Sequence, residues 1–132
     1  MSDIAVPGRA STIIMVRPAA GERFEVLLTR RPAEMKVLAG FLVFPGGGVE
    51  KEDWSDEMLA RCRGLSPDAA RQILGTDMSP EQSIGHWVAA VRELFEEVGI
   101  HFFVTEKGSR FDTIPTGLLE RLAEKRAALC RG

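Results

Sequence analysis

Glu93, Glu96 and Glu97 place three carboxylates within five residues. On a helix, positions three and four apart share a face, so all three fall within one narrow arc. Like charges so spaced repel, and near a helix C-terminus the backbone dipole disfavours anions as well. A divalent cation reverses both penalties. Mg²⁺ and Mn²⁺ take oxygen ligands, commonly a few carboxylates completed by water and phosphate. Taken alone, the same trio also reads as a solvated helix face. A second feature is needed, and "FPGGGVEKEDW", Phe44 to Trp54, offers one. Gly46, Gly47 and Gly48 allow the backbone to come close to a ligand. By themselves they also read as a plain turn.

The elements that must carry these residues follow from periodicity and punctuation. Ser79, Pro80 and Gln82 fit the N-cap, N1 and N3 positions of a capping box. Ile84, Trp87, Val88, Val91, Leu94, Phe95 and Val98 recur at helical spacing, and Gly99 ends the run. The three glutamates therefore belong to the end of a long capped helix. Upstream, Ser11 to Pro18 and Phe24 to Arg31 read as strands of a hairpin with a loop of about five residues. A loop and a short buried strand, Phe41 to Phe44, lead into the glycine turn. Between Glu52 and Thr76 two short helices are expected, closed by Gly64 and Gly75, with Ser66 and Pro67 starting the second. After Gly99, Ile100 to Glu106 reads as a strand. The segment from Gly117 onward reads as an amphipathic helix with Leu118, Leu119, Leu122 and Leu129 on one side.

Composition narrows the function classes. With 132 residues, a single domain over 1–132 is the expectation. The net charge is −2 with both signs scattered, so no basic nucleic-acid surface is indicated. No apolar run reaches membrane-span length, and the first residues do not form a signal peptide. Cys62 and Cys130 are isolated, as in a reducing compartment, and the protein is expected to be cytoplasmic. His86 and His101 lack ligand spacing. Trp54 and Trp87 could stack on a base, although packing is the plainer role.

Arg92-Glu93-Leu94-x-Glu96-Glu97-x-Gly99-Ile100 resembles, position for position, the second half of the Nudix box. Gly47, five residues and then Asp53 resemble its first half, with aspartate where glutamate is usual. The family has seven residues between that acid and the arginine. Here 38 residues (54–91) intervene, an insertion of 31, taken as roughly 54–84. This long insertion resembles one branch of the family, the peroxisomal coenzyme A diphosphatases.

The resemblance implies an α/β fold, the Nudix-type α/β/α sandwich with a mixed sheet, and a helical insertion between the glycine turn and the box helix. It implies a metal-dependent hydrolase that cleaves the diphosphate linkage of a nucleoside diphosphate derivative. Coenzyme A or acyl-coenzyme A is the first choice of substrate. ADP-ribose or another nucleotide derivative, or a non-catalytic binding module of the same fold, is the alternative. An unrelated interaction domain with a fortuitous acidic helix is the remaining reading. The implied cofactor is Mg²⁺ or Mn²⁺, held by Glu93, Glu96, Glu97 and a backbone carbonyl of Gly46. Glu93, Glu97 and Arg92 are the implied catalytic set, and Arg92 would also form an ion pair with Asp53. Gly47 would meet the substrate; Arg30, Arg31 and Lys36, which precede the turn, could meet phosphates or equally be solvated loop charges. A small-molecule partner is expected, with no nucleic acid and no membrane, and a homodimer is left open. The family core has further strands and a closing helix after the box, so the chain is expected to be the N-terminal part of a longer protein.

Overall fold

Six short strands and four helices are laid down in the computed structural model, which describes residues 8–36, 38–102, 104–105, 107 and 116–129. The strands are β1 (Ala10–Thr12), β2 (Val16–Pro18), β3 (Phe24–Val26), β4 (Thr29–Arg30), β5 (Leu42–Val43) and β6 (Gly46–Gly48). The helices are α1 (Asp56–Leu59), α2 (Pro67–Leu74), α3 (Pro80–Val98) and α4 (Thr116–Leu129). The α/β class expected from the sequence is the class observed. Among the described residues the strands form three antiparallel pairs.

The expected hairpin is present. Val16, Arg17 and Pro18 face Val26, Glu25 and Phe24, which leaves the five residues 19–23 as its loop. Each long strand read from the sequence is, however, broken into two. Residues 10–18 divide because β1 pairs with β6 whereas β2 pairs with β3. Residues 24–31 divide because β4 turns to β5 instead. Local β propensity cannot see a change of partner. The glycine run departs from expectation in the same way. Gly46, Gly47 and Gly48 are a strand, in register with Thr12, Ser11 and Ala10.

Helix boundaries follow their caps. The Ser66 hydroxyl accepts the Ala69 N–H at 3.2 Å, Pro67 opens α2, and Gly75 closes it in the left-handed region (φ +61°). Ser79 accepts the Gln82 N–H at 3.2 Å at the start of α3. In the same turn the Glu81 carboxylate accepts its own N–H and the Ser79 hydroxyl, and both hold its pKa below the ordinary value. Gly99 stops α3 at φ +74°. The region between β6 and α3 is helical, as expected, with a 3₁₀ turn at Lys51–Trp54 followed by α1 and α2. Of the strand expected from Ile100, the described residues show one bridge residue, Val104. Phe103, Glu106 and Cys130 lie outside the described residues.

Two compact units emerge. The first combines Met1–Thr12 with Gly46–Ala90, and the second combines Ile13–Pro45 with Val91–Gly132. In the first, Ala70, Ile84, Ala89 and Ser83 are buried beside the fully buried carboxylate of Asp53. Trp54 lies on Gly85 of α3, where an added Cβ would come within 2.9 Å of the indole. The second unit buries Leu94, Phe95 and Pro45, and leaves Ile14, Val16, Phe24, Phe41 and Leu42 more than half exposed.

Candidate functional site

The acidic end of α3 is organised around Arg92. Its Nη1 donates to Glu93 Oε1 at 2.9 Å and to Glu96 Oε1 at 3.2 Å. All three side chains are mostly shielded from solvent, at 15–20% exposure, while Glu97 is exposed. Burial pushes the Glu93 carboxyl above the ordinary range. Arg92 opposes that shift, and Glu96 and Glu97 reinforce it. The helix thus holds two shielded carboxylates and one exposed one around a single guanidinium. No basic residue of α3 itself lies in its last turn.

The glycine strand belongs to the first unit. At Gly46 a side chain has nowhere to go, since a Cβ would overlap the Ser11 carbonyl oxygen and stand 2.8 Å from Thr12 Cα. Val49 N–H closes the far side of the pair on Arg9 O at 2.9 Å. β1 is tied in turn to α3, because Ser11 Oγ lies 2.9 Å from His86 Nδ1. Burial and the charge of Arg9 lower the His86 pKa. His86, which lacks ligand spacing in the sequence, is therefore a strut between strand and helix. Trp54, with its face on Gly85, takes the packing role.

Asp53 is 1% exposed, and its Oδ2 accepts the Glu50 N–H at 2.8 Å. A carboxyl group so deep needs such donors. Arg30 is exposed and donates from Nη1 to Gly40 O at 2.9 Å, bracing the loop ahead of β5. The Arg31 backbone brackets the same loop, donating to Phe41 O at 3.0 Å and accepting from Gly40 N at 3.1 Å.

The donor chemistry suits a hard divalent cation, since Glu93, Glu96 and Glu97 offer carboxylate oxygens only. Among the described residues, no three His, Cys, Asp or Glu side chains stand close enough together to hold one ion. Glu93 and Glu96 turn to Arg92. To hold a metal they would have to exchange that guanidinium for the ion.

One feature of this end of the helix has no counterpart in the sequence reading. Arg126 of α4 donates from Nε to Glu96 O at 3.1 Å and from Nη2 to Glu97 O at 2.9 Å. Its partners are backbone atoms, so no pairing of side-chain types could have pointed to it.

Short antiparallel strand pairs, a helical excursion and a long capped acidic helix together make a Nudix-type α/β fold. The chain is similar to the crystal structure of a NUDIX hydrolase from Alicyclobacillus acidocaldarius, with a TM-score of 0.70 and 28% sequence identity. The match covers 98% of this chain and 51% of the other, so the chain spans about half the length of the protein it resembles. No protein-family model and no curated protein matches the sequence.

Proposed function

We propose that this chain carries the metal-binding motif of a Nudix-type hydrolase that cleaves the diphosphate linkage of a nucleoside diphosphate derivative. The observation that carries the proposal is the Arg92–Ile100 motif at the end of a capped helix, in a chain whose fold matches a Nudix hydrolase over 98% of its length. Glu93, Glu96 and Glu97, with a Gly46 carbonyl, would hold Mg²⁺ or Mn²⁺. The ion, when bound, screens the diphosphate and acidifies the attacking water. The protein's own residues do the rest. Glu93, shielded beside Arg92, would bind the ion or help deprotonate the attacking water. Glu97, exposed at the end of α3, would also hold the ion. Arg92, once Glu93 and Glu96 exchange it for the ion, would by resemblance pair with Asp53. Gly47, Arg30 and Arg31 would receive the phosphates.

Coenzyme A or acyl-coenzyme A is the proposed substrate, supported by the 31-residue insertion between Asp53 and Arg92. The protein would then act in the cytoplasm. Two measurements test the reading. Replacing both Glu96 and Glu97 with glutamine should lower Mg²⁺- or Mn²⁺-dependent hydrolysis by ~100-fold or more, the scale on which single electrostatic stabilisers act; retained activity would refute the metal role. Release of 3',5'-ADP from coenzyme A identifies the substrate class, whereas turnover of ADP-ribose alone would redirect it.

A further inference from the structure

The last turn of α3 has an electrostatic problem that its own residues do not solve. Its final carbonyls have no intrahelical donors. The negative end of the dipole coincides with Glu93, Glu96 and Glu97. The last turn contains no cation. The solution comes from α4, thirty residues later, where the planar fork of Arg126 spans two successive carbonyls, Glu96 O at 3.1 Å and Glu97 O at 2.9 Å.

Gly99 is matched to this contact. Its N–H closes on Phe95 O at 2.9 Å, and its φ of +74° is one that L side chains rarely adopt. A Cβ there would also stand 3.3 Å from Arg126 Nη1. The glycine thus ends the helix and leaves room for the guanidinium.

The geometry points to Arg126 as a positioning residue. It clamps the backbone of Glu96 and Glu97, so that the helix end carrying the carboxylates stays fixed for binding a divalent cation. This assignment rests on the metal reading above. Arg126 touches neither ion nor substrate in that arrangement and acts through the helix end. Lysine cannot replace it fully, because a point charge lacks the fork that spans two carbonyls.

The test uses the 132-residue chain with Arg126→Gln and Arg126→Lys, read by amide hydrogen exchange and by Mn²⁺ titration followed by electron paramagnetic resonance. Arg126→Gln should speed exchange at Val98 and Gly99 by ~10-fold while Leu94 is unchanged. It should also raise the apparent Kd for Mn²⁺ by ~10-fold, the lower end of what second-sphere partners contribute. Arg126→Lys, which keeps the charge and the fold, should fall between wild type and Arg126→Gln in both readouts. Unchanged exchange at Val98 and Gly99, or exchange that rises equally at Leu94, would overturn the clamp. If the wild type takes up no Mn²⁺, the metal reading fails, and with it the part of this assignment directed at a cation. Exchange at the helix end still decides the clamp itself.

Discussion

Gly46 shows most sharply how a single atom can be excluded. Alanine there would overlap the Ser11 carbonyl and crowd Thr12 Cα at 2.8 Å, and both are backbone atoms of a paired strand. Neither can swing aside as a side-chain tip could. Gly46→Ala should therefore cost about 1–3 kcal/mol of stability, read as a lower urea midpoint with an unchanged slope. At Gly48 nothing lies within 4 Å, and Gly48→Ala should be close to neutral in the same measurement. The three glycines look alike in the sequence but differ in what surrounds them. Arg92 offers a similar lesson. The motif singles it out and implies an aspartate partner, but its local bonds to Glu93 and Glu96 depend on rotamers that no motif specifies.

At the scale of the element, α3 was the most legible part of the chain, because Ser79, Pro80 and Gly99 mark its ends with local chemistry. What lies against it was not legible. Gly85 sits mid-helix, where glycine is about 1 kcal/mol worse than alanine. The Trp54 indole explains it, since a Cβ would come within 2.9 Å of the ring. Gly85→Ala should therefore lose stability by thermal melting despite the better propensity; a raised Tm would mean that the indole moves away at no cost. The Ser11–His86 link predicts a pH effect. The native His86 pKa lies below the usual 6.5, so the unfolded chain binds more protons between the two values. Its contribution to stability is fully present above about pH 6.5 and is lost as pH falls through the native pKa. The difference in urea midpoint between wild type and His86→Gln should shrink from about pH 7.5 to about pH 5.

For the whole molecule, exposed apolar surface matters most. Phe24 and Phe41 are 67% and 61% exposed on the strand side of the second unit, with Ile14, Val16 and Leu42 close behind in the same unit. Short strands with unpaired edges and apolar side chains invite association. Light scattering should show this chain associating as concentration rises, and Phe24→Lys with Phe41→Lys should suppress it without lowering Tm. β-Branched and apolar residues identified these strands, but the sequence pattern has no term for a face left uncovered. The hairpin of residues 16–26 was legible because its loop is short. The pairing of β1 with β6 was not, because it joins segments more than thirty residues apart.

The interleaving of the two units also bears on synthesis. Residues 13–45 leave the ribosome before residues 46–90, but their unit is completed only by residues from Val91 onward. The 45 residues between, 46–90, belong to the other unit. At about 5–20 residues per second the hairpin waits roughly 2–9 s for its helical partners. Through that interval Phe24, Phe41 and their neighbours are at least as bare as in the 132-residue chain. A nascent chain stalled after residue 90 should therefore bind a holdase chaperone more strongly than one released after Gly132.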